Sequence, residues 1–408
     1  MHNPLASSAT VAIACGGTGG HLFPGIAVAE QLAHRGCAVS LLISSKEVDQ
    51  HCLRQLSDGA HHQPSTHQPS TSPTVFTLPA IGLVRGRELA FLSAFGRSFI
   101  AARKIFRAQR TQAVLGMGGF TSAGPLLAGK ILRAKTFLHE SNAIPGRANR
   151  WLSRAVDCAY MAFPSAATCL KHRRVTVSGT PVRRQFRPQN ATSCCKALGL
   201  DSSRPVVLVT GGSQGASGVN QLVTNALPLL SRRASNWQWL HLSGEREADS
   251  VRQSYATAGL NAVVHPFLTE MDVALGAATA AITRAGGSSL AELAAVGVPS
   301  ILVPYPAATD NHQYLNAKAF EETGAARLLN QSEATPDILS NFLFELIENG
   351  PTRQKMLQAL ELWHKPRAAE QIAESILQSV ERGSVERASV NAPRSDAPKT
   401  LDTRPASA

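Results

Sequence analysis

A glycine-rich loop occurs twice in this chain, each time between a short apolar run and a helical pattern. The first copy, Val11 to His21, reads Val-Ala-Ile-Ala-Cys-Gly-Gly-Thr-Gly-Gly-His, and the second, Val206 to Ala216, reads Val-Val-Leu-Val-Thr-Gly-Gly-Ser-Gln-Gly-Ala. Apolar runs that alternate with helical patterns are typical of parallel βαβ units. The repeat therefore predicts two Rossmann-like α/β domains, each with a glycine loop at its first strand–helix turn.

The other apolar runs fall into two series that match these two domains. Strands are predicted at 11–14, 39–43, 113–115, 136–138 and 175–177, and then at 205–209, 237–242, 262–264, 280–282 and 300–303. A polar stretch between Arg183 and Arg204 separates the series, which predicts an N-terminal domain at 1–183 and a C-terminal domain at 184–382. Residues 57–74, which repeat His-Gln-Pro-Ser-Thr, are predicted to be a low-complexity insert, and residues 383–408 a disordered tail.

Composition narrows the choice of partner and compartment. The 408 residues include 40 Lys and Arg against 28 Asp and Glu, a formal charge of +12 that suits nucleic acid, an anionic membrane surface or an anionic substrate. Only 5% of the residues are aromatic, which argues against base-stacking platforms. The uncharged stretch 113–129 is too short and too rich in glycine to span a membrane. Seven scattered cysteines without CxxC spacing predict reduced thiols in the cytosol.

The glycine loops expose backbone N–H groups at the start of a helix, which suits a phosphate-bearing ligand. A dinucleotide is disfavoured, because Leu22 stands at the third glycine of the GxGxxG pattern and the next strand ends in Ser44-Ser45 rather than in a carboxylate. A GxxxxGK match at 124–130 continues with Ile131 where a hydroxyl would hold magnesium, so a helix is predicted there. His21 is either a helix-start residue or a base beside an anion site.

Further polar side chains follow predicted strands, at the edge where parallel sheets bind ligands. A third glycine loop runs from Thr283 to Glu292, and its Ser289 and Glu292 have the spacing of a capping box at a helix start. In the functional alternative, the loop binds a diphosphate and Glu292 accepts hydrogen bonds from ribose hydroxyls. The segment from Asp310 to Ala317 is either a helix capped by Asp310 or a substrate contact. A structural role and a substrate contact are also the two alternatives for the segment from His139 to Asn142 and for Arg183.

The segment from Arg85 to Arg110 carries seven basic residues and a single acidic one, Glu88. Helical spacing predicts that its core face consists of Leu92, Phe95, Phe99, Ala102 and Phe106. The remaining apolar residues lie beside arginines, which suits an anionic membrane surface, although a solvated helix is the alternative. The predicted membrane contact consists of Ile81, Leu83, Val84, Arg85, Arg87 and Phe91.

Seven motifs stand in one order along the chain: Gly16-Gly-Thr-Gly-Gly-His-Leu-Phe-Pro-Gly25, Leu115-Gly-Met-Gly-Gly-Phe-Thr-Ser122, Leu138-His-Glu-Ser-Asn142, Gly179-Thr-Pro-Val-Arg183, Gly211-Gly-Ser-Gln-Gly-Ala216, Arg284-Ala-Gly-Gly-Ser-Ser-Leu-Ala-Glu292 and Asp310-Asn-His-Gln-Tyr-Leu-Asn-Ala317. Together they resemble the MurG family of glycosyltransferases. Ser141 and Thr180 depart from the family pattern, which has Gln and Asn there. The resemblance implies a GT-B fold, in which two Rossmann-like domains face each other across a cleft and the last helix packs back on the N-terminal domain.

The resemblance also implies an activity. It is the inverting transfer of GlcNAc from UDP-GlcNAc to the 4-hydroxyl of MurNAc in undecaprenyl-pyrophosphoryl-MurNAc-pentapeptide, at the cytoplasmic face of the inner membrane. His21 would be the general base or orient the acceptor, and Glu140 is the second candidate for the base. By motif, the donor contacts would be Thr18, Gly19, Gly20, Asn142, Arg183, Ser213, Leu268, Gly287, Ser288, Ser289, Leu290, Ala291, Glu292 and Gln313.

No cofactor and no metal are expected. The chain contains no DxD pair, so helix N-termini, loop amides and Arg183 would neutralise the leaving diphosphate. The expected partners are UDP-GlcNAc, the lipid-linked acceptor, an anionic membrane surface and other cell-wall synthesis proteins, but not nucleic acid. The alternatives are a GT-B enzyme with a soluble acceptor, a UDP-GlcNAc epimerase, or a non-catalytic nucleotide-sugar-binding scaffold.

Overall fold

The computed structural model describes residues 9–46, 49, 72–79, 88–170, 172–212 and 215–391. Within them the strands form two parallel sheets, with the orders β3-β2-β1-β4-β5-β6-β7 and β10-β9-β8-β11-β12-β13. The first sheet consists of β1 Thr10–Ala14, β2 Ala38–Ser44, β3 Thr74–Leu78, β4 Ala113–Gly116, β5 Lys135–Glu140, β6 Cys158–Met161 and β7 Val175–Val177. The second consists of β8 Val206–Thr210, β9 Gln238–Leu242, β10 Asn261–His265, β11 Ala280–Thr283, β12 Ser300–Leu302 and β13 Arg327–Leu328.

Helices cover both sheets. In the N-terminal half they are α1 Gly19–His34, α2 Glu88–Gln109, α3 Ala123–Ile131, α4 Arg147–Leu152 and α5 Pro164–Thr168. In the C-terminal half they are α6 Ala191–Ala197, α7 Ser217–Arg233, α8 Ala248–Ala258, α9 Met271–Ala277, α10 Gly287–Val296, α11 His312–Glu322, α12 Pro336–Glu348, α13 Gly350–Trp363 and α14 Ala368–Asn391. The two parallel sheets confirm the predicted GT-B fold class.

The sequence predicts ten of the thirteen strands in the described residues and misses β3, β6 and β13. Strand β3 lies at an edge with most of its residues exposed or half-buried, and β13 has only two residues. Strand β6, Cys-Ala-Tyr-Met, contains no β-branched residue. The GxxxxGK segment is helical, as predicted, because it forms α3. The predicted core face of α2 is wrong at Leu92, which is 59% exposed, while Ala102 and Phe106 are buried.

Two predicted irregular segments lie mostly outside the described residues. Of the insert at 57–74, residues 57–71 are not described, and Thr74 begins strand β3, where it pairs with Ser40. Of the tail at 383–408, residues 392–408 are not described. The prediction of disorder is wrong for 383–391, which continue α14. The sequence from Glu381 contains no proline before Pro393, so no proline interrupts the helix over these residues.

Helix α14 returns to the N-terminal domain. Ile372 and Ile376 are fully buried in the same apolar cluster as residues of β1 and α1. The Tyr160 hydroxyl donates to Ser375 Oγ at 2.8 Å, and Arg35 pairs with Glu370 at 3.3 Å. The chain therefore crosses between the domains twice, once after β7 and once before α14, with the interdomain cleft between them.

Helix α1 packs closely on the end of β1. A Cβ at Gly25 would lie 2.6 Å from Cys15 Cβ, whereas a Cβ at Gly96 in α2 would meet nothing within 4 Å. We therefore expect Gly25→Ala to lower the free energy of unfolding by about 1–3 kcal/mol. Gly96→Ala, the matched control, should raise it by about 0.5–1 kcal/mol. Urea denaturation measures both, and equal stability of the two variants would contradict this packing.

Candidate active site

A cleft of about 1580 Å³ lies between the two domains. The loops after β1, β4 and β5 line it from the N-terminal domain, and the loops after β8, β11 and β12 from the C-terminal domain. All of these loops follow the carboxyl ends of parallel strands, where open α/β sheets bind ligands. The volume exceeds that of a typical single-ligand site, so the cleft has room for two substrates.

The first glycine loop is held by a buried carboxylate. Asp49 Oδ2 accepts from Gly17 N at 2.7 Å, from Ser44 N at 3.1 Å and from Ser44 Oγ at 2.5 Å. A Cβ at Gly16 would lie 2.3 Å from Ser44 N, so only glycine fits there. The loop thus crosses directly over β2 and directs the N-terminus of α1 into the cleft.

His21 lies in the first turn of α1 and lines the cleft. Its Nδ1 is 3.4 Å from Thr18 Oγ1, and a Cβ at Gly118 would lie 3.0 Å from its Nε2. Burial lowers the pKa of His21 to about 4; the charge of Lys46 acts in the same direction and that of Asp49 opposes it. At neutral pH the imidazole is therefore uncharged and has a nitrogen lone pair available to accept a proton.

The loop after β5 is organised around Glu140. One carboxylate oxygen accepts from Asn142 N and Nδ2 at 3.0 and 2.9 Å. The other accepts from Gly146 N at 2.9 Å and Asn149 Nδ2 at 2.8 Å. Because both oxygens accept two N–H bonds each, the geometry indicates a role for Glu140 in shaping this loop.

Arg183 and Glu292 face each other across the domain boundary. The Arg183 guanidinium is 7% exposed, lies 4.2 Å from the ring centroid of Phe23 and 4.8 Å from that of Phe186, and is 3.8 Å from Glu292 Oε1. Burial raises the pKa of Glu292 to about 7, helped by the charge of Asp272 and opposed by that of Arg183. Arg183 thus brings a fixed positive charge to the junction of the domains.

The third glycine loop begins α10, whose N-cap is Gly286. Ser289 and Glu292 are therefore the third and sixth residues of the helix rather than its cap and third residue, and the capping-box interpretation is wrong. A Cβ at Gly287 would lie 2.0 Å from Ser141 O, so glycine is required where the two domains meet.

The segment after β12 does not contain the helix cap that the sequence predicts at Asp310. Asp310 is not the cap of α11; it has φ of 51° in a short 3₁₀ turn and pairs with Arg150 at 2.6 Å and Arg147 at 3.4 Å. Gln313 lines the cleft, and its Oε1 accepts from Tyr305 N at 2.9 Å. Asp310 thus links the C-terminal domain to α4 of the N-terminal domain.

Most of the predicted site residues meet in this cleft. Those lining it are Thr18, Gly19, Gly20, His21, Glu140, Asn142, Arg183, Leu268, Gly287, Ser288, Ser289, Glu292 and Gln313. Two do not line it: Leu290 is 1% exposed in the C-terminal core, and Ala291 lies on another face of α10. Helical periodicity is the reason, since only part of a continuous helical motif can face one side. Ser213 lies outside the described residues.

Several residues of the site were missed at the sequence level. Asp49 stands in no motif and lies five residues beyond the end of β2, so nothing in the sequence linked it to the loop. Asn149 lines the cleft, and its Nδ2 donates to His139 O at 3.3 Å. Phe23 belongs to the first motif, but its stacking on Arg183 joins two segments that are distant along the chain.

No group of three or more His, Cys, Asp or Glu side chains in the described part of the chain is placed to hold a metal ion. No helix among these residues is long and apolar enough to cross a membrane.

The chain is similar to known glycosyltransferases. Residues 11–161 match the glycosyltransferase family 28 N-terminal domain, and residues 206–372 the family 28 C-terminal domain. A relative from Anaeromyxobacter dehalogenans (strain 2CP-C) is 34% identical over 375 residues, which cover 91% of this chain and 93% of the relative. One from Myxococcus xanthus is 33% identical, covering 89% and 91%. Both are named UDP-N-acetylglucosamine–N-acetylmuramyl-(pentapeptide) pyrophosphoryl-undecaprenol N-acetylglucosamine transferase.

Solved structures show the same relationship. The crystal structure of MurG from Acinetobacter baumannii is 27% identical and covers 91% of this chain and 100% of its own, with a TM-score of 0.69. A putative UDP-N-acetylglucosamine 2-epimerase from Listeria monocytogenes has a TM-score of 0.66 and covers 92% and 97%, but at 16% identity it shares the fold alone.

The raised pKa of Glu292 has a consequence for stability. Because its pKa is about 7 in the folded protein against an ordinary 4.5, the folded state retains a proton that the unfolded chain loses in between. Ionisation therefore destabilises the fold as pH rises through this window, by up to about 3 kcal/mol. We expect the stability of Glu292→Gln, relative to the unsubstituted protein, to increase from about pH 5 to about pH 8 in urea denaturation. The exposed Glu361→Gln is the control, and a flat difference for Glu292→Gln would contradict the shift.

Proposed function

The chain belongs to the MurG family of family 28 glycosyltransferases, and we propose that it transfers GlcNAc from UDP-GlcNAc to the MurNAc unit of undecaprenyl-pyrophosphoryl-MurNAc-pentapeptide. It is a hexosyltransferase of peptidoglycan synthesis that converts lipid I to lipid II. The observation that carries this function is that His21, Glu292 and the first and third glycine loops all line one cleft. The chain also aligns with these transferases over nine-tenths of its length.

The donor is proposed to bind mainly to the C-terminal wall. Glu292 would accept hydrogen bonds from the ribose hydroxyls, and Leu268 would hold the uracil through its backbone groups. The N–H groups at the start of α10 face the cleft and suit the diphosphate, because a helix N-terminus carries partial positive charge. Gln313, Asn142 and the first glycine loop would complete the site around the sugar.

The proposed transfer is a single displacement with inversion. The acceptor 4-oxygen forms a bond to the anomeric carbon as the bond from that carbon to the UDP oxygen breaks, and the hydroxyl proton passes to His21. The leaving UDP takes the electron pair of the broken bond. Arg183 and the loop amides stabilise its growing charge, and loss of one such donor costs on the order of 3 kcal/mol in the barrier.

Glu140 is less suited to the role of base than His21. A base must be free to accept a proton from the acceptor hydroxyl. The Glu140 carboxylate already accepts four N–H bonds that shape its loop, while the His21 imidazole is neutral and lines the cleft. We therefore assign Glu140 to positioning the loop and retain His21 as the proposed base.

The reaction itself is tested by incubating the purified protein with radiolabelled UDP-GlcNAc and lipid-linked MurNAc-pentapeptide in the presence of EDTA. We expect label to move into the lipid fraction, because the charge of the leaving UDP is met by protein groups rather than by a metal. Binding of UDP-GlcNAc without transfer would favour a soluble acceptor or a scaffold. Conversion of UDP-GlcNAc into an isomeric UDP-sugar without transfer to lipid would favour an epimerase.

The role of His21 is tested in the same assay at saturating substrates. Removing a general base slows a reaction by about 10²–10⁴-fold, and we expect His21→Ala to lower kcat by that amount without a matching loss of UDP binding. His172→Ala is the control, since that imidazole bonds only to carbonyls and an amide of its own region, outside the cleft. Near-normal turnover of His21→Ala would show that another residue is the base.

The enzyme is further proposed to work on the cytoplasmic face of the inner membrane, as a peripheral protein. Of the predicted contact, Ile81, Leu83, Val84, Arg85 and Arg87 lie outside the described residues. The two turns of α2 that follow expose Leu89 by 84% and Leu92 by 59%. Phe91 packs on Phe120 with ring centroids 5.3 Å apart, and Phe120 lines the cleft. The apolar surface therefore adjoins the cleft, as delivery of a lipid-linked acceptor requires.

Membrane contact is tested by sedimentation with vesicles of phosphatidylglycerol and of phosphatidylcholine. Because burial of a leucine side chain contributes roughly 1.5–3 kcal/mol, we expect Leu89→Gln/Leu92→Gln to weaken vesicle binding about tenfold or more. Leu362→Gln is the control, because it alters a leucine of the C-terminal domain whose exposure, 68%, lies between those of Leu89 and Leu92. Equal vesicle binding by all three proteins would show that α2 does not take part in the proposed membrane contact.

A further inference from the structure

A second cavity lies on the side of the N-terminal sheet away from the cleft, at the amino ends of strands β4 and β5. Its volume is about 480 Å³, within the range of small-molecule sites. The end of α2, the turns that precede β4 and β5, and one face of α14 form its walls. Every charged residue that lines it is a cation: Arg107, Arg110, Arg133 and Lys135.

Three of the four cations of this cavity, called here the basic cavity, have no acidic partner among the described residues. Among the described residues, no carboxylate lies within ion-pair distance of Arg107, Arg110 or Lys135. Helices α2 and α3 end here, and the negative end of a helix favours cations, which accounts for Arg107. It does not account for Lys135, the first residue of β5.

A buried hydroxyl points to a ligand independently of the charge. Thr111 lines the cavity and is 9% exposed, and its Oγ1 has no hydrogen-bond partner among the described residues. Buried polar groups are almost always hydrogen-bonded, because leaving one unpaired costs free energy. An acceptor oxygen inside the cavity would supply the missing partner.

The backbone beside the cavity is also unusual. Arg110 and Arg133 have φ of 53° and 59°, a left-handed conformation in which glycine is the usual residue. Both arginines stand where a helix has just ended and where glycine would be accommodated with less strain. Backbone preference therefore does not explain why two guanidinium groups are placed at this cavity.

We propose that the basic cavity binds a phosphate-bearing anion that also carries an apolar group. The cations and the Thr111 hydroxyl suit phosphate oxygens, and the buried Phe106 and Val380 offer an apolar wall. Such a ligand is either a soluble phosphorylated metabolite or the headgroup of an anionic phospholipid. The site is separate from the transfer reaction, since it lies at the amino ends of strands whose carboxyl ends face the cleft.

The first test is calorimetric titration of the full-length protein with phenyl phosphate, with the cleft saturated by UDP. We expect saturable binding of one equivalent, weakened about tenfold or more in Arg107→Gln/Lys135→Gln, because two charges next to the phosphate are lost. Arg232→Gln/Lys355→Gln removes the same charge from exposed positions of the C-terminal domain and should bind as the unsubstituted protein does. Arg110→Gly keeps a backbone that glycine favours, so its weaker binding cannot be ascribed to misfolding.

The second arm uses vesicles of phosphatidylglycerol, sedimented with the same variants. Loss of vesicle binding in Arg107→Gln/Lys135→Gln but not in its control, without binding of phenyl phosphate, supports the proposal and identifies a lipid headgroup. Binding of phenyl phosphate alone supports it and identifies a soluble metabolite. The proposal is overturned if phenyl phosphate does not saturate and vesicle binding is equal in the two double variants, or if both double variants bind phenyl phosphate equally.

Discussion

One buried amide side chain joins the two domains, and the geometry of the cleft depends on it. Asn316 of α11 is fully buried; its Nδ2 donates to Asn142 Oδ1 and Ala285 O, each at 3.0 Å, and its Oδ1 accepts from Ala143 N at 2.7 Å. It thereby ties the loop after β5 to the loop after β11. A cross-domain contact with every polar atom satisfied specifies one relative placement of the loops, because any shift would leave buried groups unpaired.

Burial on both sides of this junction has a common electrostatic effect. It lowers the pKa of His21 and raises that of Glu292, so in both cases the neutral form is favoured. Arg183 keeps its position through the faces of Phe23 and Phe186 as well as through its acidic neighbour. With the proposed function, a diphosphate in the cleft would meet an arginine and helix N-termini, while the proposed base stays uncharged and able to accept a proton.

Much of the fold could be read from the chain because its information is local. Long apolar runs gave the inner strands, and the glycine loops gave the first turn of each domain. What could not be read depends on contacts between distant segments. Cys158–Met161 has no β-branched residue and Arg327–Leu328 has only two residues, so their pairing with neighbouring strands is what defines them. The exposure of Leu92 depends on where α2 leaves the sheet. Leu290 shows that a motif names a stretch of chain, whereas helix periodicity selects the residues that face the ligand.

The sequence by itself determined the fold class and the family, and most of the site residues that it predicted line the cleft, because each motif keeps its chemistry within a few consecutive positions. Only the tertiary structure decided which of them meet and in what state of charge. Asp49 reaches the first glycine loop, and Asp310 reaches Arg150 of the other domain, through contacts that no spacing along the chain foretells. The protonation state of a side chain is likewise decided by the tertiary structure, since its pKa depends on how far the assembled fold removes it from water.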